Sequence, residues 1–337
     1  VHFDHIWGES HYKDQLTPLL TSLRKEGLLI ESEGALVVPV TDKDGKELPP
    51  CIMQKSDGAT IYATRDVAAA LYRMEKFSFD RMTYIVGSEQ RLHFQQVFGV
   101  LRQMNEKVGI HWVDRCEHVP TGLYRFKDAK MSTRDGNYVT LEEVLDLAKR
   151  RVVELMEERA KNAPEGASPG TTPTEQITEA IAVGAVIFHD LSTDPSRDVE
   201  FDIERVVDFE GETGPYLQYA HTRCQSILRK AQEIGGFSTE FDPKLIEKLG
   251  APEEIALVKT LGMFPLHLER TLKNAKASQL AHYLIDLTQA FGLFYRECRV
   301  LGDDPELSRA RLLLVEATRR ILAQGMGLML IPLPDRM

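Results

Sequence analysis

After residue 140 the sequence stops spelling strands. Before that point short apolar runs alternate with turn residues and helical stripes. Leu36-Val37-Val38-Pro39-Val40 reads as a strand, and Asp42-Lys43-Asp44-Gly45 as a turn. A helical stripe (Leu16, Leu19, Leu20, Leu23) precedes them and stops at Gly27. Thr60-Ile61-Tyr62-Ala63 reads as a second short strand, and Asp66 to Leu71 as the start of a helix with an acid in its first turn. Met82 to Val86 is a continuous apolar run closed by Gly87, the pattern of a parallel strand buried on both faces. Ser88 stands where it can cap a helix from His93 to Met104, and Cys116 to Val119 gives a third strand that enters a polar loop, Lys127 to Asn137. Strands alternating with helices predict a parallel sheet with ligands at the carboxyl ends of its strands.

From Leu141 the period changes to that of helices. Leu141, Val144, Leu145, Ala148, Val152, Leu155 and Met156 make one apolar stripe. Ala163 to Thr174 is a Pro/Gly/Thr linker, and helices follow around 175–192, 214–233, 252–272, 277–298 and 306–326. The pattern predicts half an α/β domain joined to an all-α bundle.

With 337 residues, two domains are expected, and 43% hydrophobic with 27% charged residues excludes disorder and a coiled-coil rod. No apolar run reaches membrane-spanning length and no leader opens the sequence, so a soluble, cytoplasmic protein is expected. The formal net charge of −10 argues against a non-specific nucleic-acid coat, but a local basic patch for RNA remains open. Cys51, Cys116, Cys224 and Cys298 stand 65 or more residues apart without metal spacing, which predicts buried thiols and no structural metal. The chain begins at Val1 rather than Met, which suggests cutting or processing at its N-terminus.

Lys130-Met131-Ser132-Thr133-Arg134-Asp135-Gly136-Asn137 is a Gly-containing loop with a lysine, two hydroxyls and an arginine. It can place positive charge where phosphoryl charge develops, although polar loops of this composition are common. Lys130 to Thr133 resembles the KMSKS-type signature of class I aminoacyl-tRNA synthetases. The surroundings resemble the arginyl-tRNA synthetase family: Asp57-Gly58-Ala59-Thr60-Ile61-Tyr62-Ala63-Thr64-Arg65-Asp66, then Val86-Gly87-Ser88-Glu89-Gln90-Arg91-Leu92-His93-Phe94, then His118-Val119 with Gly122. Gly211-Glu212-Thr213-Gly214-Pro215-Tyr216-Leu217-Gln218-Tyr219-Ala220-His221 is similar to that family's G-N-T-G-P-Y-L-Q-Y-A-H block, with Glu212 for the usual Asn, and Pro334-Asp335-Arg336-Met337 to its terminus.

The resemblance implies the second half of a class I Rossmann-type catalytic domain with the KMST loop (1–140), a helical connector (141–200) and an anticodon-binding helical domain (201–337). It implies ATP-dependent ligation of L-arginine to tRNA(Arg) through an arginyl-adenylate. Asp66 would accept the arginine guanidinium, a planar group with five donors, beside Tyr62 and Gln90. Gly87, His93, His118, Val119, Gly122 and Met131 would hold ATP, with Mg²⁺ accompanying the nucleotide. Lys130 would stabilise the leaving pyrophosphate, and Ser132 and Thr133 would hold the loop closed, so positioning and charge carry the reaction. Read on residue type alone, Asp66 can equally be a first-turn helix acid, Tyr62 a core strand residue and His93 a capping or packing histidine.

Tyr216, Tyr219 and Arg223 share one helix face, and Tyr295 with Arg299 repeats the pairing. Such a stripe is either core or a platform for unpaired RNA bases. The resemblance implies the platform, with Met337 joining it, and a monomer.

A second ATP signature of the H-I-G-H type belongs on the first strand-to-helix turn of such a domain. His5-Ile6-Trp7-Gly8 has no strand before it, and Phe3 to Trp7 better resembles a later segment of the family. The stretch is therefore expected to be the C-terminal part of such an enzyme, deficient in adenylate formation by itself and with an uncovered sheet edge. The alternative is a non-catalytic tRNA-binding module that keeps the anticodon domain.

Overall fold

The computed structural model describes residues 2–109, 111–126, 139–161, 173–235 and 242–337. The chain divides into two compact units, Val1–Gly122 and Leu123–Met337. The linker expected at 163–174 falls largely outside the described residues.

The first unit opens with a 3₁₀ turn, Glu9–Tyr12, and α1 (Lys13–Lys25), which ends where Gly27 takes φ 69°. An antiparallel meander follows: β1 (Ile30–Ser32), β2 (Ala35–Thr41) and β3 (Glu47–Gln54), in that order. Only β2 was legible beforehand. β1 has three residues, and β3 contains Pro49-Pro50, tolerated because β3 is an edge strand whose register shifts against β2.

α2 (Tyr62–Phe77) starts inside the segment expected to be a strand. Only an isolated bridge, Gln54 to Thr60, remains of that strand. The cause is Thr64, whose hydroxyl accepts the Ile61 N–H at 3.4 Å while donating to the Met53 carbonyl, so the chain turns into the helix there. Asp66 accordingly lies in the second turn, and the first turn has no acid.

β4 (Met82–Gly87) leads through a 3₁₀ turn, Ser88–Gln90, into α3 (Arg91–Val108), and β5 (Cys116–Thr121) pairs with β4 in parallel. The Ser88 side chain caps neither element, because the extra 3₁₀ turn separates it from α3. β4 is not buried on both faces: Tyr84 is buried but Ile85 is 71% exposed. Among the described residues β4 and β5 pair only with each other, so each strand of this parallel pair has an outer edge that no further strand takes. Arg81 clamps the amino ends of the pair with Nε and Nη2 on the two Glu117 oxygens at 2.6 and 2.8 Å, which holds that carboxyl below its usual range. The core joins Leu19 and Leu23 of α1, Val38 and Val40 of β2, Val67 and Ala70 of α2, and Val97 and Leu101 of α3.

The second unit holds β6 (Tyr124–Phe126), α4 (Leu141–Lys161), α5 (Glu175–Ser192), β7 (Val199–Phe201), α6 (Ile203–Val206) and α7 (Gly214–Glu233). β6 and β7 pair in parallel, a three-residue ladder that the sequence pattern does not show. The Asp198 carboxylate takes the Leu123 N–H and Arg125 Nε, and the Tyr124 hydroxyl donates to Asp190, fixing β6.

The helix expected over 252–272 is two: α8 (Pro252–Gly262) and α9 (Phe264–Asn274). Pro265 has no N–H for the Leu261 carbonyl and its ring crowds that oxygen, so the ladder restarts at Phe264. α10 (Ala277–Glu297) and α11 (Pro305–Leu328) complete the bundle. Its larger core contains Phe188, Leu217, Leu257, Tyr283, Leu284, Phe291, Val315 and Leu322; a smaller one gathers Val144, Val152, Ile181 and Phe209. Cys51, Cys224 and Cys298 are buried free thiols, and burial pushes the Cys51 thiol up to about 12. Among the described residues no helix is long and apolar enough to cross a membrane.

Candidate functional site

In the first unit the candidates gather at the carboxyl ends of β4 and β5. Tyr84 stands opposite His118, Ile85 opposite Val119 and Gly87 opposite Thr121, so Gly87 and Gly122 close neighbouring strands. His118 Nε2–H donates to the Val86 carbonyl at 3.0 Å, and its ring stacks on Phe94 at 4.7 Å. That side chain is thereby held against the sheet. A Cβ on Gly87 would come within 2.7 Å of the Glu89 carboxylate, so that flexible acid would have to move if Gly87 were replaced. Glu89 was not a candidate from the sequence; its one signal was its place inside the block around Gly87.

Asp66 Oδ2 lies 2.6 Å from His93 Nε2, with the Asp66 side chain 36% exposed. The structure thus brings together an expected arginine-binding residue on α2 and an expected nucleotide-binding residue on α3. Tyr62, one turn before Asp66, is 66% exposed, which excludes a core strand role. The Arg65 guanidinium sits 5.7 Å from the Tyr62 ring centre and pairs with Glu9 at 2.8 Å. Gln90 is exposed at the end of the 3₁₀ turn. His5 and Trp7 of the H-I-W-G run stack at 4.5 Å, with Trp7 against His11 at 4.7 Å, and the first described strand, β1, lies after them. Lys130, Met131, Ser132 and Thr133 lie outside the described residues.

In the second unit a cavity of about 470 Å³ is lined by Tyr216, Tyr219, Arg223, Arg159, Phe209 and Phe291 among others. The Thr213 hydroxyl caps α7 by accepting the Tyr216 N–H at 3.3 Å, and Pro215 suits its first turn, so the rings leave the helix where the cavity opens. Arg223 donates to the Tyr219 hydroxyl at 2.9 Å and lies 4.6 Å from that ring and 5.0 Å from the Tyr295 ring. Tyr216 is half-buried against the core, which pushes its phenol up although Arg223 opposes the shift. The stripe is therefore core on one side and cavity wall on the other. Arg299 is exposed beyond the end of α10, its carbonyl held by Arg311 at 2.8 Å. Met337 is partly buried and packs on the smaller core around Val144 and Phe209. Sequence reasoning missed Arg159 and Phe209; the usable signal was Phe209 standing two residues before the Gly211–His221 block.

Comparison with known proteins gives both units a context. Residues 2–203 match the family described as tRNA synthetases class I (R), catalytic domain, and residues 217–337 match the DALR anticodon binding domain. The chain is 40% identical over 338 residues to the arginine–tRNA ligase of Clostridium kluyveri and 41% identical over 337 residues to arginine–tRNA ligase 2 of Bacillus anthracis. All of the chain is covered in both alignments, and it spans 56% of each relative's length. The arginyl-tRNA synthetase of Plasmodium falciparum superposes with a TM-score of 0.81 at 26% identity, covering 100% of this chain and 55% of that one. The Thermus thermophilus arginyl-tRNA synthetase shares the fold with a TM-score of 0.80 at 23% identity, covering 98% of this chain and 59% of that one. An α/β segment with a short parallel pair, followed by a helical bundle with an aromatic and guanidinium-lined cavity, is thus found in a chain that belongs to the arginyl class I tRNA synthetase family.

Proposed function

We propose that the chain is part of an enzyme that ligates L-arginine to tRNA(Arg), driven by ATP, through an arginyl-adenylate. In this reading residues 1–140 are the second half of the nucleotide fold, 141–200 a connector and 201–337 the anticodon-binding bundle. Asp66 receives the substrate guanidinium, Tyr62 walls it and Gln90 supplies hydrogen bonds. Gly87, His118, Val119 and Gly122 present backbone to the nucleotide, with His93 and Met131 beside it. Lys130 offsets the charge that develops on the leaving pyrophosphate, and Ser132 and Thr133 hold its loop. Tyr216, Tyr219, Arg223, Tyr295, Arg299 and Met337 serve tRNA binding.

The observation that supports the arginine site most is the state of Asp66. Its carboxylate is half-exposed, has left the first helical turn and is bonded through Oδ2 to His93, next to an exposed tyrosine ring. A helix acid serving the macrodipole would sit in the first turn. The nucleotide would bring Mg²⁺ on its phosphates, where the ion neutralises developing charge.

The test is charging of arginine tRNA by the purified chain, with tRNA binding and arginine binding measured in parallel. We expect tRNA binding without charging, because no H-I-G-H-type signature is read in these 337 residues. In the longer protein, Asp66→Asn should raise the arginine KM at least tenfold, an effect of about 1.4 kcal/mol or more on a charge-assisted pair. An unchanged KM would return Asp66 to a structural role. Absence of tRNA binding by a folded chain would remove the anticodon reading.

A further inference from the structure

The stacking around the cavity of the second unit continues past the residues that resemble the family. Arg159, near the end of α4, lays its guanidinium 4.4 Å from the Phe209 ring centre and 5.9 Å from that of Tyr219. Tyr219 meets Arg223 at 4.6 Å, and Arg223 meets Tyr295 at 5.0 Å. Aromatic rings and guanidinium groups therefore alternate from Phe209 to Tyr295, drawn from α4, the segment before α7, α7 itself and α10.

Phe209 is 6% exposed, so it is a backing for Arg159 rather than a face open to a ligand. The Arg159 side chain is 45% exposed and is the surface a ligand meets. Its carboxylate partner among the described residues is loose: Glu210 approaches to 3.8 Å and is itself 88% exposed. Arg159 also borders an adjoining cavity of about 300 Å³ lined by Leu155, Glu204, Asp208, Phe209 and Glu210. Those three carboxylates disfavour phosphate and accept amino edges of bases, so a base rather than the RNA backbone suits that side.

We infer that Arg159, backed by the Phe209 ring, is a further base-stacking position for single-stranded RNA, one rung beyond Tyr219, Arg223 and Tyr295. The inference rests on the reading of this bundle as a tRNA-binding domain. The chemistry required is a planar cation: unpaired bases stack on guanidinium planes as they do on aromatic rings, and an ammonium offers charge without a plane.

Fluorescence anisotropy with the full chain and a labelled hairpin carrying an arginine anticodon loop tests it, with circular dichroism as the folding control. Tyr295→Ala and Arg159→Met should each weaken binding roughly five- to a hundredfold, the range of one lost stack. Arg159→Lys should recover little of the Arg159→Met loss. If Arg159→Met binds like wild type, or Arg159→Lys restores affinity, while Tyr295→Ala is weak, Arg159 is no stacking position and the tRNA reading stands. If the folded wild-type chain does not bind, or Tyr295→Ala changes nothing, the tRNA reading itself fails and the inference falls with it.

Discussion

His221 lies on the buried face of α7 at 2% exposure, and among the described residues neither ring nitrogen has a hydrogen-bond partner. Burial first, then the Arg319 guanidinium, pushes its imidazole down to about 4 from 6.5, against the pull of Asp335 and Glu316. The folded chain therefore keeps His221 neutral where the unfolded chain takes a proton. Stability from this group is complete above pH 6.5, falls as pH drops through the window from 6.5 to about 4, and levels off below it. The whole step is on the order of 3 kcal/mol. Burial lowers His189 as well, so two histidines act in the same direction. Thermal unfolding of His221→Leu between neutral pH and about pH 5 should show a shallower fall in Tm than wild type. Parallel profiles would mean that the imidazole titrates freely in the fold. None of this was legible beforehand, since His221 read only as the last letter of a block; burial is a property of what packs on α7, which a linear pattern does not contain.

Among the elements, the long helices were legible because period and caps agree. α5 and α7 begin at Thr174 and Thr213, whose hydroxyls accept N–H groups of the first turn, and both follow the stripes read from sequence. The failures have local causes as well. Thr64 bonds across to Met53, Pro265 interrupts a helical stripe without changing its period, and β6 and β7 are too short to alternate. At the candidate site, Asp66 and His93 were named separately, but their 2.6 Å contact depends on how α2 and α3 pack. One buried contact decides how the bundle's elements are joined. Glu254 is 1% exposed, accepts the Gly250 and Ala251 N–H groups at 2.8 Å each at the start of α8, and takes Arg311 Nε of α11 at 2.6 Å. Arg311 in turn holds the Arg299 carbonyl beyond α10. Glu254→Ala should cost about 3–5 kcal/mol, because it strands a guanidinium that is largely buried, whereas the pair Glu254→Leu with Arg311→Met should cost clearly less. Urea unfolding of both variants decides; equal losses would assign the effect to the lost α8 cap rather than to the ion pair.

At the scale of the molecule, the net charge of −10 has to be reconciled with an RNA partner. A protein that binds through a wide basic face neutralises many phosphates and loses affinity steeply with salt. Among the described residues Arg159 and Arg223 lie between the rings of the candidate RNA surface, and Arg299 is exposed beyond α10. Stacking must then supply most of the affinity, and stacking depends little on ionic strength. Even if all three met phosphates on a single strand, the slope of log K against log salt would be only roughly −2. The chain bound to an anticodon hairpin should show that shallow slope, and Arg159→Met should lower affinity with little change in it, since a stacked guanidinium acts through its plane. A slope steeper than about −5 would point to an extended phosphate-binding surface elsewhere on the chain. The acidic composition and the aromatic–guanidinium ladder are consistent with the proposed RNA partner only in the shallow case: repulsion between phosphates and carboxylates would keep RNA off an acidic surface, and the ladder would give it a place to stack.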